Sequence, residues 1–313
     1  MAARPHAGSD VCAVVVTHHP DAGLASRLPA IARQVAATVI VDNASSGEET
    51  ALLRRLAADP SVTLLQNAAN LGVARALNDG IRHAASRGFG WVLLFDQDSV
   101  VGGDLLEALF SARAAFPEPA RVAVVGAGFA QRLQAADREA AACGAAGEAP
   151  WEEVEAVITS GSLLPLSAWA GIGPFRDDFF IDYVDIEFCL RARAQGYRII
   201  RTRRALMAHE IGAPSRHRLL WLEKSTTNHS PDRRYYIARN DTVLLREYGR
   251  YRCGGWALKS LQRRLRTCKR VLLYETDRRA KIAAVWQGFW HGIHCRMGPR
   301  RASAARAAAR TEA

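Results

Sequence analysis

Cysteine is sparse in this 313-residue chain and none of it stands at metal-binding spacing. Cys12, Cys143, Cys189, Cys253, Cys268 and Cys295 are scattered without a C-x-x-C pair. That pattern argues against a zinc site and a disulfide framework and fits a reducing compartment. Phosphate loops are missing too: there is no G-x-x-x-x-G-K-[ST], and Gly47, Gly72, Gly102 and Gly103 do not spell G-x-G-x-x-G. No run reaches the roughly 20 apolar residues that span a bilayer. The nearest, 282–293, is interrupted by Gln287 and His291. The opening MAARPHAGSD lacks the apolar stretch of a signal peptide, so a cytoplasmic protein is expected.

What is present is a globular composition, 49% hydrophobic and 23% charged, with a lopsided charge. Residues 201–313 carry 26 Lys and Arg against 8 Asp and Glu, whereas the preceding residues are net acidic. The C-terminal third is therefore directed at an anionic partner: nucleic acid, an acidic lipid surface or a phosphorylated substrate.

From residue 11 to about 128, short apolar runs (11–17, 38–43, 62–67, 91–98, 122–128) alternate with segments whose apolar residues recur every three or four positions. This predicts an open α/β parallel sheet flanked by helices, with its ligand site beyond the carboxyl ends of the strands. Polar residues gather at those ends: Thr17, His18 and His19; Asp42, Asn43 and Ser45; Asn67 and Asn70; Asp96 and Asp98. Ser45 with Glu48, or Ser46 with Glu49, would also suit a helix capping box. Four successive polar strand ends form a rim of the kind a small polar ligand needs.

The run WVLLFDQDS ends in two acids two residues apart. A solvated turn is the plain reading. If the strand continues through Asp98, both carboxylates share a face. At about 5 Å and an effective dielectric near 20, they repel by on the order of 3 kcal/mol. A divalent cation relieves that repulsion, and hard oxygen ligands suit Mg²⁺ or Mn²⁺ completed by substrate phosphates.

The ordered series VVVTHHPD, VDNAS, QNAANLGVARALNDG and FDQDS resembles the family 2 glycosyltransferases of GT-A fold, and among them the bacterial rhamnosyltransferases of cell-surface polysaccharide synthesis. The likeness continues through 159–199, HEIGAPS and RRYYIARN. It implies an inverting, metal-dependent transferase of a sugar, L-rhamnose from dTDP-rhamnose, onto a glycan or lipid-linked saccharide of O-antigen or capsule. By the same resemblance Thr17, Asp42 and Asn43 hold the pyrimidine and ribose. His18 takes a place often filled by an aromatic ring. Asn70 and Asn78 lie near the nucleotide, Asp96 and Asp98 bind metal and sugar, and His209 completes the metal site.

Inverting transfer needs a base for the acceptor hydroxyl. Asp185 stands near the start of a helix expected over about 184–194, and the family's acidic motif places the base there, with Asp182 as the alternative. Helix-end acids paired with Arg191 and Arg193 are the plainer reading. Ser160 and Gly161 precede a segment whose Trp169 offers either an aromatic face to an acceptor sugar or a core side chain. Arg239 opens a helical run from which a guanidinium reaches a diphosphate bidentately.

The expected division is a disordered 1–10, a catalytic domain 11–230 (nucleotide half 11–128, acceptor half 151–230), a basic helical region 231–299 and a disordered tail 300–313. Basic amphipathic patterning with Trp286, Phe289 and Trp290 suits the anionic face of the inner membrane, reached peripherally. Within the enzyme class another sugar, galactofuranose or glucose, is the alternative. A nucleic-acid-binding protein is the rival from outside it, and it leaves the polar rim unexplained. Oligomeric state is not legible.

Overall fold

Seven uncharged residues, Val11–Thr17, form β1, buried along its whole length. A strand covered on both faces has no polar side to show, which is why its sequence does not alternate. The computed structural model describes residues 8–130, 149–208, 215–219, 222–226, 228–249 and 256–300.

The other strands of the main sheet are β2 (Ala37–Asn43), β3 (Val62–Asn67), β4 (Trp91–Asp96), β5 (Val100–Val101), β6 (Val122–Ala130), β7 (Trp151–Glu153), β8 (Ser162–Pro165) and β9 (Arg198–Ala208). Their order is β3-β2-β1-β4-β8-β6-β9-β5, with β7 on β9. The first four are mutually parallel, with helices α1 (Leu24–Ala32), α2 (Gly47–Leu56) and α3 (Val73–Ser86) between them; α4 (Leu105–Ala114) precedes β6. Val15, Ile40, Leu93, Phe95 and Leu109 lie in the shared core.

The sheet is mixed rather than wholly parallel. β8 runs antiparallel to both β4 and β6 and separates them. Apolar periodicity reports burial, and β8 is as buried as its neighbours; direction depends on the connection, and an antiparallel neighbour needs no helical crossover. β4 also stops at Asp96, two residues before the expected end.

Two compact units divide the described chain. The first comprises this sheet, α1 to α4, α5 (Leu166–Ile172) and α6 (Val184–Ala194) from Asp185 onward. The second contains Arg176–Val184, the antiparallel hairpin β10 (Ser215–Leu219) and β11 (Leu222–Thr226), α7 (Pro231–Tyr248), α8 (Trp256–Tyr274) and α9 (Arg278–Ile293). The excursion at 176–184 is one that a linear division at residue 230 does not express.

In the second unit α7 begins at a Ser230 N-cap, whose hydroxyl accepts from Arg233 N–H at 3.3 Å, followed by Pro231. α9 packs closely on α7 through Ala284, Gly288 and Gly292. A Cβ on Gly288 would meet the Tyr235 carbonyl at 2.3 Å, so that position admits only glycine without a shift. Arg234 and Lys281 are buried on either side of Glu275, at 2.5 and 3.0 Å.

Candidate active site

The polar rim exists, and much of it lies beneath the surface. Asp42 is fully buried at the end of β2. Its carboxylate accepts from the Thr17 hydroxyl at 2.9 Å, the Ser45 backbone N–H at 2.9 Å and the Ser45 hydroxyl at 2.5 Å. Ser46 makes no side-chain cap and Ser45 turns to Asp42, so neither capping box forms. Asn43 is buried as well; it donates to the Gly72 carbonyl at 3.2 Å and accepts from Asn67 at 3.0 Å.

The exposed part of the rim is set by these buried groups. His18 is exposed, and its Nδ1 lies 2.8 Å from the Asn43 carbonyl. His18 N–H donates to Gln97 Oε1 at 2.8 Å, which ties the first strand end to the acid turn. His19, at φ 49°, donates its N–H to Ser45 Oγ at 2.8 Å. Asn70 is exposed and accepts from Gly72 N–H at 2.9 Å, shaping the turn into α3.

The acid pair is arranged differently from a continuing strand. After Asp96 the chain turns, and Ser99 N–H donates to the Asp96 carbonyl at 3.2 Å. Strand alternation therefore does not bring the carboxylates to one face. Asp96 is half-buried at the strand end, and Asp98 is exposed in the turn. The turn is braced by Arg27 of α1, whose Nε donates to the Gln97 carbonyl at 3.1 Å. Neither Gln97 nor Arg27 carried a sequence signal.

Ser99 is buried against Ser160, with hydroxyl oxygens 2.5 Å apart. Next to it Gly161 has φ +74° and donates its N–H to the Leu94 carbonyl at 2.8 Å. A Cβ there would fall 2.0 Å from the Met207 sulfur, so both the turn and the close approach demand glycine. Ser160 and Gly161 are thus the joint between the acid turn and β8 and are not on the exposed surface. Trp169 on α5 is half-buried, and its indole N–H is buried without a partner.

Asp185, in the first turn of α6, lines a small cavity with Leu94, Val157, Thr159, Phe188 and Cys189. Its carboxylate accepts from Ile186 N–H at 2.8 Å. The paired-acid reading holds for Glu187, which is fully buried and bonded twice to Arg191 at 3.0 Å. Apolar surroundings push the Cys189 thiol up to about 12.

Asp182 belongs to the second unit. Burial pushes its carboxyl above the usual range, and Arg233, bonded to both oxygens at 3.1 to 3.3 Å, opposes that shift. Around it the backbone is strained. Ile181 N–H donates to the Phe179 carbonyl at 2.8 Å across Phe180, at φ 65° and ψ −65°, which is a γ-turn; Asp182 and Tyr183 follow at φ 62° and 65°.

Two expected ligand contacts have other occupations. Asn78 is fully buried and exchanges two hydrogen bonds with the Phe175 backbone, at 2.7 and 2.9 Å. Arg239 is buried too, and its guanidinium donates to Asn240 Oδ1 and to the carbonyls of Asp178, Phe179 and Gly298. Four bonds to its own unit leave it no fork for a diphosphate, so its role is to hold that unit together. His209 lies outside the described residues.

Among the described residues no group of three or more His, Cys, Asp or Glu is placed to hold a metal alone. Asp96 is half-buried and Asp98 exposed, and their carboxylates are hard oxygen donors of the chemistry that Mg²⁺ or Mn²⁺ takes together with substrate phosphates.

Residues 12–128 match the family model described as glycosyl transferase family 2. Over 250 residues the chain is 28% identical to the dTDP-rhamnosyl transferase RfbF of Shigella flexneri, covering 76% of this chain and 81% of that one. The mannosyltransferase PcManGT from Pyrobaculum calidifontis, solved in complex with GDP-Man and Mn²⁺, superposes with a TM-score of 0.57 at 17% identity, over 93% of this chain and 90% of that one. Residues 1–349 of S. aureus TarS, solved with UDP-GlcNAc, give 0.53 at 16% identity, over 88% and 79%. Both likenesses are of fold.

Proposed function

Because the chain is a glycosyltransferase with a family 2 domain on a GT-A sheet, we propose that it transfers L-rhamnose from dTDP-rhamnose, with inversion, to a saccharide or lipid-linked saccharide acceptor. The observation that carries this reading is the bracing of the Asp96–Asp98 turn, through Ser99 and Ser160, against the segment whose cavity is lined by Asp185. Likeness to RfbF supports the donor. A nucleic-acid-binding reading would account for the basic third but for neither the rim nor the acid turn.

In this reading Thr17, Asp42 and Asn43 work from below, fixing the loops on which His18 and Asn70 face the nucleotide. Asp96 and Asp98 would hold the divalent ion, which when bound neutralises charge on the leaving diphosphate. The Asp185 carboxylate takes the proton of the acceptor hydroxyl as that oxygen bonds to the anomeric carbon. The bond from that carbon to the diphosphate breaks, and its electron pair leaves with dTDP. Trp169 offers its half-buried ring to the acceptor side, while its indole N–H stays buried.

A thermal-shift panel of dTDP-, UDP- and GDP-sugars with Mg²⁺ or Mn²⁺ tests the proposal. At a ligand concentration near 100 Kd, dTDP-rhamnose with metal should raise the melting temperature by about 5 °C. Asp98→Ala should lose that shift while melting normally without ligand. A larger shift with a UDP- or GDP-sugar would replace the donor, and no shift with any sugar would overturn the reading.

A further inference from the structure

α8 exposes an apolar stripe where a packed helix would bury one. Leu258, Leu261, Leu265 and Leu272 are 58%, 54%, 61% and 50% exposed. At about 100° per residue they fall within roughly 60° of arc. The side of α8 turned to its own unit is a different one: Val271 is buried, and Arg264 bonds Asp241 at 2.9 Å with its guanidinium over the Phe289 ring. On the other flank of the stripe stand the exposed Arg266, Lys269 and Arg270. α9 repeats the theme with Trp286, Trp290 and Ile293 exposed at intervals of four and three. Residues 256–300 contain eleven Lys and Arg against two acids, Glu275 and Asp277.

We infer that the leucine stripe of α8, with its Arg266–Lys269–Arg270 flank, docks on an anionic lipid surface. Leucines beside cations form the two-part contact of an interfacial helix, apolar side chains among the acyl chains and basic heads among the phosphates. Trp286 and Trp290 are of the type that settles at the headgroup level. No described helix is long and apolar enough to cross a membrane, so the contact lies along the surface. Nucleic acid would satisfy the cations and leave the leucines in water. A second copy meeting stripe to stripe would bring two like-charged flanks together. The inference goes beyond the donor assignment and stands independently of it.

Flotation of the full chain with phosphatidylglycerol-containing vesicles, compared with pure phosphatidylcholine vesicles, tests the inference. Wild type should float with the anionic vesicles only, and less at high salt. The double variants Leu261→Ser/Leu265→Ser and Arg266→Glu/Lys269→Glu should each weaken recovery by about tenfold or more. Both should keep the wild-type melting temperature without ligand, which shows that they fold and keeps this test separate from that of the donor. Absence of flotation, equal flotation of the leucine variant, or retention on DNA in place of vesicles would overturn the inference. So would a wild-type dimer that the leucine variant abolishes.

Discussion

At the scale of single residues, the two candidate bases belong to different units. Asp185 lines the small cavity in the unit that carries Asp96 and Asp98, whereas Asp182 lies in the second unit with both of its oxygens bonded to Arg233. A base acts on the acceptor beside the donor, which favours the carboxylate in the unit that holds the acid turn. Asp185→Asn is therefore expected to lower kcat by roughly 10²- to 10⁴-fold. The substitution should leave the donor thermal shift intact, whereas Asp182→Asn should change kcat far less; dTDP release with saccharide acceptors measures both. The reverse order would move the base to Asp182. Asp185 was legible in sequence through the family's acidic motif rather than through composition, since helix-end charges paired with Arg191 and Arg193 are the plainer reading of the same acids. Asn78 and Arg239 show the limit of that legibility. Polar types at a ligand-facing position look the same as polar types closing a backbone gap, and only Phe175 or Phe179 approaching from far along the chain tells them apart.

At the scale of elements, the segment 177–183 depends on a side chain it does not contain. The Asn240 amide of α7 donates to three of its carbonyls, Phe179 at 3.1 Å, Ile181 at 2.9 Å and Asp182 at 2.8 Å. Phe180 stacks on Tyr236 with centroids 5.0 Å apart. Left-handed conformations at Phe180, Asp182 and Tyr183 cost about 1 to 3 kcal/mol each and persist only where the surroundings over-determine them. Asn240→Ala removes the shared donor and should cost about 1 to 3 kcal/mol in urea denaturation. Because the segment runs directly into α6 and Asp185, kcat should fall further than the stability loss explains while the KM for donor stays near wild type. Unchanged turnover in a destabilised variant would reduce Asn240 to a structural brace. The strain itself carries no pattern in sequence, since Phe-Ile-Asp-Tyr contains no glycine to announce positive φ. β-Strand content was readable from runs such as VCAVVV, but the direction of β8 and the stop of β4 at Asp96 rest on a carbonyl-to-amide turn that side-chain types do not report.

At the scale of the whole molecule, the charge split coincides with two different surfaces. The net acidic part of the chain supplies the polar rim, and the net basic part supplies the exposed stripe of α8. The charge asymmetry was plain in sequence; the return of 176–184 to the second unit was not, because it follows from the bonds of Arg239 and Asn240 rather than from composition. If the two surfaces serve different ligands, each ligand should protect its own segments from hydrogen exchange. dTDP-rhamnose with Mg²⁺ or Mn²⁺ should slow amides at 17–19, 43–46, 70–73 and 96–99, since the turns there are short and solvent-facing and open locally at small cost. It should leave 258–273 unchanged. Anionic vesicles should do the reverse, slowing exchange along α8, whose face toward solvent now meets lipid. Protection of both sets by either ligand alone would show that the two sites are coupled, and protection of α8 by the nucleotide sugar without vesicles would assign that helix to the donor site instead of to a membrane.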